Sequence, residues 1–335
     1  MTSMKEVAKR AGVSIATVSA VINDNKFVSA ELKVKIEEAI KELNYRPNRI
    51  ARSLKGKETK LIGVMVTEIT NPFYPLMIKG IEDLALTAGF NILLSTTSDD
   101  EKTEYKLIES ILDQGVDGVV LATIDNSKSK SLELLKKENI PTVLINRAPK
   151  NYPGSKIYVD SYKVGSLATE YLLQLGHKKI AFFGGKRQNT KEREKAFLDV
   201  MKSRNLPVPN EWIIDSEYNF EKVKCITKEI IKNKDRPTAI YAGMDIIAFE
   251  VAKAILEEGL RIPEDISIVG SDNIPFSEDF RVPLTSVDVQ AYEIGKRGLK
   301  ILIDKITNKE EEVQDQVIFD PTLVIRNSTA ELSSD

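Results

Sequence analysis

The sequence predicts a multidomain chain: an all-α head built on a helix-turn-helix, joined by a hinge helix to an α/β core of two doubly wound lobes. Three observations predict it. The stretch Gly12-Val-Ser-Ile-Ala-Thr-Val-Ser-Ala-Val-Ile-Asn23 sets a glycine between two short helical patterns. From Leu61 onward, strand-length apolar runs alternate with amphipathic helices, the cadence of a parallel sheet covered on both faces. Charge is also divided. Residues 1–60 hold 13 Lys/Arg against 7 Asp/Glu, a net of +6, whereas residues 61–335 carry −8.

The head is read over residues 1–45. Ser3 followed by Glu6 is a capping box, so a first helix runs from about Met4 to Ala11 with Val7, Ala8 and Ala11 on its apolar face. Gly12 takes the turn, because a residue without Cβ adopts positive φ cheaply. Ser14 caps a second helix from Ile15 to about Ile22, with Val18, Val21 and Ile22 turned inward and short side chains outward. Ser29 caps a third, on Leu32, Ile36, Ala39, Ile40 and Leu43. Two short helices joined by a glycine turn form the motif whose second helix enters the DNA major groove, and a basic head on an acidic body fits a nucleic-acid module.

Residues 46–59 form a hinge and linker. Pro47 biases Arg46 to extended backbone, so the third helix stops before it. Asn48 is an N-cap for a helix of about seven residues, Arg49 to Lys55, carrying Arg49, Arg52 and Lys55 beside Ile50 and Leu54. Alone in water so short a helix is unstable. Two readings stay open: a solvated linker, or a hinge that folds on DNA with Leu54 as a minor-groove wedge.

The core opens with strand Leu61–Val66 and a helix from about Tyr74 to Ala88. Strands Asn91–Ser95, Gly118–Leu121 and Thr142–Asn146 follow, with helices Glu101–Gln114 and Ser127–Glu138 between them. A second run begins near Tyr158, with helices at 162–175, 190–203, 220–232 and 245–258 and strands at 179–183, 212–215, 238–242 and 266–270. The lobes are assigned as 60–160 with 289–320, and 161–288 with 321–330. Ligands of such sheets bind beyond the carboxyl ends of the strands. Polar and aromatic residues recur there: Asn71-Pro-Phe-Tyr74, Asn146-Arg147, Arg193, Asp245, Ser271-Asp272-Asn273 and Gln290. Rings offer apolar faces, and Asn, Arg and Asp offer directed hydrogen bonds to hydroxyls or carboxylates.

Composition excludes other classes. No apolar run approaches the ~18 residues that span a bilayer, and the N-terminus lacks a signal-peptide core, so a cytoplasmic protein is expected. Cys225 has no internal partner and reads as a small buried residue. One histidine, His177, and one cysteine cannot build a Cys/His zinc site, and His177 reads as structural. Gly184-Gly-Lys186 lacks the spacing of a phosphate-binding loop. No nucleophile–base pair is seen, so neither an enzyme nor a cofactor or metal is expected.

Many spaced stretches together resemble the lac repressor/galactose repressor (LacI) family, over essentially the whole chain. They are Val7-Ala-Lys-Arg-Ala-Gly-Val-Ser14, Thr17-Val-Ser19, Asn44-Tyr-Arg-Pro-Asn48, Ala51-Arg-Ser-Leu54, Ile69-Thr-Asn-Pro-Phe-Tyr74, Gly80-Ile-Glu82, Val116-Asp-Gly118, Leu175-Gly-His-Lys-Lys-Ile-Ala181, Arg261-Ile-Pro-Glu-Asp265, Ile268-Val-Gly270 and Pro283-Leu-Thr285. The resemblance implies a transcriptional regulator, a repressor by family habit, acting as a homodimer on a pseudo-palindromic operator. It also implies a periplasmic-binding-protein-like core that binds a small effector: a sugar, sugar acid or phosphosugar.

By position, the resemblance makes Ile15, Ala16 and Ala20 readers of bases, and gives Ser14, Thr17, Ser19, Asn23 and Tyr45 phosphate contacts. It makes Leu54 the minor-groove lever, supported by Arg49, Ala51 and Lys55. In the core it places Asn71, Phe73, Tyr74, Asn146, Arg147, Arg193, Met244, Asp272 and Gln290 around the effector. This chain departs from the family at four of its positions. Ala20 stands where most members have Arg, so it offers a methyl where others pair with guanine. Met244 replaces Asn, Asn146 replaces Asp, and Ser271 replaces an aromatic. Less negative charge beside Arg147 and Arg193 points to an acidic or phosphorylated sugar. The alternative reading is a cytoplasmic sugar-binding protein without operator specificity.

Overall fold

A computed structural model describes residues 2–23, 26–45, 59–123, 126, 128–149, 151–216, 219–307 and 315–332. The chain divides into two compact units, residues 1–59 and 60–335.

The first unit contains helices α1 (Met4–Ala11), α2 (Ile15–Asn23) and α3 (Ala30–Glu42). The capping box is present: the Glu6 amide donates to Ser3 Oγ, and the Ser3 amide donates to Glu6 Oε2 at 2.6 Å. Gly12 closes α1 at φ 67°. Ser14 Oγ accepts from the Thr17 amide at 3.0 Å, capping α2. Ser29 occupies the N-cap position of α3 but makes no side-chain cap; its carbonyl accepts from the Lys33 amide instead. Val7, Ala8, Val18, Ile36, Ala39 and Tyr45 form the core, with Val21, Ile22, Ile40 and Leu43 around it. Apolar residues at helical spacing on three short helices suffice to close so small a core.

The second unit holds two sheets with the same winding. The first runs β11-β5-β4-β3-β1-β2 and the second β12-β10-β9-β8-β6-β7. Its first-lobe elements are β1 (Leu61–Val66), α4 (Phe73–Thr87), β2 (Asn91–Thr96), α5 (Glu101–Asp113), β3 (Gly118–Leu121), α6 (Lys130–Lys137), β4 (Thr142–Ile145), β5 (Ser155–Val159), α12 (Ala291–Thr307) and β11 (Gln316–Phe319). The other lobe holds α7 (Ser161–Gln174), β6 (Ile180–Gly184), α8 (Gln188–Ser203), β7 (Ile213–Asp215), α9 (Phe220–Lys232), β8 (Ala239–Ala242), α10 (Asp245–Glu257), β9 (Ser267–Asp272), α11 (Phe276–Asp279), β10 (Thr285–Asp288) and β12 (Thr322–Val324). All pairs are parallel except β10 with β12.

Sheet membership makes the chain pass between the lobes three times: after β5, between β10 and α12, and between β11 and β12. An apolar cluster is continuous across both lobes, from Ile62 and Val143 through Val289 and Ile294 to Phe182 and Tyr241. Helices α4 and α12 lie backbone to backbone. A Cβ on Gly80 would stand 2.0 Å from the Tyr292 carbonyl oxygen, and one on Gly295 would stand 2.0 Å from that of Met77.

Three local readings need correction. Residues 155–159 are a strand of the first sheet, and the expected start of a second run near Tyr158 falls inside it. Helix α6 runs Lys130–Lys137, shorter than the expected Ser127–Glu138, and Ser129 caps it, accepting from the Ser131 amide. Cys225 is exposed; Val223, Thr227, Ile230 and Ile231 set the buried face of α9, and position 225 is rotated off it.

Candidate functional site

In the head, α2 presents a short-side-chain surface. Ile15 is 47% exposed and Ala16 is exposed beside it. Ser14 Oγ lies 2.8 Å from Thr17 Oγ1, so these two hydroxyls are placed at the helix N-terminus, where backbone N–H groups also face outward. Two expected contacts fit less well. Ala20 is only 7% exposed, closed off by its neighbours rather than presented like Ile15 and Ala16. Tyr45 is 8% exposed because its ring fills the head core, which leaves it little surface to offer a phosphate. Ser19 is half-buried on α2. The side chain of Asn23, and Arg49, Ala51, Leu54 and Lys55 altogether, lie outside the described residues.

In the core, strand ends from both lobes converge on a cleft of about 550 Å³. Thr67 and Glu68 follow β1, Ser98 and Asp99 follow β2, and Arg147 follows β4; Lys186 and Arg187 follow β6 on the other lobe. Ligands sit in this position relative to doubly wound sheets, because loops after adjacent strands splay apart where the winding reverses.

Arg147 is the buried cation of this cleft. Its side chain is 1% exposed, and Nη2 donates to Thr67 Oγ1 and to Asp99 Oδ1, each at 2.7 Å. Burial works to raise the Asp99 carboxyl, but the Arg147 and Arg187 guanidinia outweigh it and hold the group below its ordinary range. Arg193 is its counterpart in the other lobe. Its Nη1 donates to the Gly243 carbonyl at 2.5 Å and to Asp272 Oδ1 at 3.0 Å, while its Nε is buried with no hydrogen-bond partner. Asp272 is pushed up to about 7, chiefly by burial and further by Asp245, against the pull of Arg193.

The remaining sequence candidates divide. Asn71 Oδ1 accepts from the Phe73 amide at 3.0 Å, an Asx turn that starts α4 and sets Phe73 and Tyr74, whose rings meet edge to face at 5.2 Å. Asn146 takes φ 63°, a left-handed conformation that Asn tolerates, which accounts for its identity without a ligand. Gln290 lies in one lobe crossing, and its Nε2 donates to the Asp320 carbonyl of another at 2.6 Å. Met244 does not line the cleft; it packs in the apolar cluster of its lobe with Phe183, Ile214 and Ile247. Ser271 is fully buried and lies 3.2 Å from the Tyr241 hydroxyl. Nor is the cleft left short of negative charge: Glu68, Asp99 and Glu101 line it, and Asp99 pairs with Arg147.

Sequence reading missed Thr67, Glu68, Asp99, Thr123, Asn126, Lys186 and Arg187. Most directly follow a strand, so the carboxyl-end rule applied to every strand would have found them. His177 is structural: it is buried, its Nε2 faces the Ala330 carbonyl at 3.1 Å, its Nδ1 faces the Thr238 hydroxyl at 3.0 Å, and burial lowers its pKa. Among the described residues, no group of three or more His, Cys, Asp or Glu could hold a metal ion, and no helix is long and apolar enough to cross a membrane.

Comparison with known proteins adds the following. Residues 3–48 match the bacterial regulatory proteins of the lacI family, and residues 169–329 match the periplasmic binding protein-like domain. The whole chain is similar to the HTH-type transcriptional repressor PurR of Vibrio vulnificus (strain CMCP6), 35% identical over 337 residues, with 99% of this chain and 100% of that one covered. Its fold is similar to that of the lac repressor dimer bound to operator and the anti-inducer ONPF, with a TM-score of 0.86, 25% identity, and 98% and 99% of the two chains covered. A LacI family transcriptional regulator from Enterococcus faecium with bound ribose matches with a TM-score of 0.72 at 28% identity, over 82% of this chain and 100% of that one.

Proposed function

The chain belongs to the LacI family of bacterial regulatory proteins, and on that premise we propose that it is a cytoplasmic, sugar-responsive repressor. It is a DNA-binding transcriptional regulator controlled by a small effector bound in its core domain, and it acts as a dimer on operator DNA. Its relatives are transcriptional repressors rather than enzymes.

The observation that carries the effector reading is the buried Arg147–Asp99 pair in the cleft, with a second buried pair, Arg193 of α8 and Asp272 at the end of β9, in the other lobe. Such pairs alternate donors and acceptors, which suits the vicinal hydroxyls of a sugar, and the cleft volume suits a small ligand. A sugar acid or phosphosugar would have to compete with Asp99 for Arg147, so the neutral sugar is favoured within that set. The ribose-bound relative agrees in ligand class.

At the head, Ile15 and Ala16 read bases, Ser14, Thr17, Ser19 and Asn23 hold phosphates, and Arg49, Ala51, Leu54 and Lys55 act in the minor groove. Effector binding shifts a two-state core, and only unequal affinity for the two states can do so.

Genome-wide fragment selection with the purified protein tests this, with and without neutral sugars, sugar acids and phosphosugars. A palindromic site whose retention changes with one sugar class is the expected result. Salt-sensitive retention with no enriched sequence, alongside sugar binding, would return the reading to a sugar-binding protein without operator specificity.

A further inference from the structure

Arg187 extends from the loop after β6 across the cleft to the opposite lobe. Its Nε donates to Asp99 Oδ2 at 2.6 Å and its Nη2 donates to Glu68 Oε1 at 2.9 Å. The guanidinium is only one-tenth exposed and the two carboxylates are about one-third exposed, so water screens the contacts far less than on an open surface. One planar fork thus holds two carboxylates from two different strand ends of the other lobe.

The acceptor side is built to receive it. Ser98 and Asp99 take φ 53° and 58°, consecutive left-handed residues without a glycine. Such backbone persists only where its surroundings hold it, and it clusters at clamps and switches. Here the Ser98 amide donates to the Thr67 carbonyl at 2.8 Å, and the Thr67 hydroxyl donates to Asp99 Oδ1 at 3.2 Å. Asp100, the next residue, is fixed as the cap of α5 by the Thr103 amide at 2.7 Å. The loop therefore aims Asp99 at two guanidinia, Arg147 of its own lobe and Arg187 of the other.

We propose that Arg187 is a latch that sets how readily the two lobes close, its guanidinium clasping Glu68 and Asp99 across the cleft. The lobes pivot where the chain crosses between them, and the latch spans the cleft formed by their strand ends, so each ion pair made or lost shifts the open-to-closed ratio. The proposal rests on the cleft being the effector site, since closure there is what an effector would bias. It also makes Asp99 the shared acceptor through which the latch and the effector-facing Arg147 are coupled.

The test uses the full chain and no sugar. A dye pair is placed on the exposed Cys225 of α9 and on an introduced Glu109→Cys of α5, with labelled protomers diluted into unlabelled ones, and transfer efficiency reports lobe separation. Arg187→Gln and Glu68→Gln should each lower the closed-to-open ratio, Arg187→Gln by about tenfold, and the double variant should go no further than Arg187→Gln alone. Arg187→Lys, a point charge without the fork, should fall between. Thermal melts confirm that each variant is folded; Asp99→Asn serves as a second acceptor variant if Glu68→Gln is not. Unchanged transfer in folded Arg187→Gln, or fully additive shifts in the double variant, overturns the latch. Because no sugar is present, these outcomes are independent of whether a sugar alters operator binding.

Discussion

Arg193 Nη1 lies 3.0 Å from Asp272 Oδ1, and the two side chains are 1% and 7% exposed. A buried pair of this kind is a weak source of net stability, yet losing one partner strands the other charge. Asp272 has the raised pKa, about 7, against an ordinary 3.8. The folded state then keeps its proton to higher pH than the unfolded state does. Stability from this group is present below about pH 4 and is lost as pH rises toward 7, at about 1.4 kcal/mol per unit of separation. Urea unfolding across pH 4–8 should show a steeper fall in the native chain than in Asp272→Asn, in which buried Asp245, also raised by burial, still contributes in the same direction. Parallel pH profiles would refute it.

Asp245 organises the loop behind that pair. Its carboxylate accepts from Ser286 Oγ at 2.6 Å, Ser277 Oγ at 2.7 Å and the Ile274 amide at 3.0 Å, all out of solvent. Asp245→Ala should leave three buried donors unsatisfied and cost about 3 kcal/mol or more. The urea midpoint measures it, and a loss under about 1 kcal/mol would mean that water replaces the carboxylate.

Gly295→Ala should destabilise the first lobe by about 1–3 kcal/mol or more, because the new methyl meets the Met77 carbonyl at 2.0 Å and α4 cannot retreat without unpacking. Gly80→Ala should behave alike against Tyr292. Thermal unfolding of each single variant and of the pair would show a less-than-additive sum, since one helix separation relieves both clashes.

Ile15→Ala should weaken specific operator binding by about 1–3 kcal/mol at the base pair it faces. The slope of log affinity against log salt should stay unchanged, because no phosphate contact is removed. Leu54→Ala should act in the same sense by removing the wedge. Anisotropy titrations on operator and on random duplex decide both, and equal losses on the two DNAs would exclude base and groove reading.

Arg147→Met and Arg193→Met should each abolish the sugar response of operator binding while leaving sugar-free affinity within about threefold, a free-energy change below about 1 kcal/mol. Retained sugar response in either variant would place the effector elsewhere.

Much of this could be read in the sequence, because it is local. Ser3 with Glu6 marks the start of α1, Gly12 its end and Ser14 the start of α2, since caps and turns depend on residues within a few positions. Strand cadence located the core elements from β1 to β9 to within one to three residues, except β5, but it placed none of the elements after β9, from α11 through α12 to β12. Arg147 was found because a charged residue just past a buried strand stands out on its own, whereas Arg193, inside α8, was placed by the family resemblance.

What the sequence could not specify was the partner of each side chain. Arg187 meets Glu68 and Asp99 from 119 and 88 residues away, Asp272 meets Arg193 from 79, and none of the three separations carries a periodic signal. Met244, Ser271 and Ala20 went the other way: family position put the first two at the effector pocket and the third at a DNA base, and packing turned all three inward. A residue's type and local spacing determine which element it joins, because backbone conformation is a short-range matter. Whether its side chain meets solvent, a core or a charge from the other lobe is decided only when distant elements close upon it.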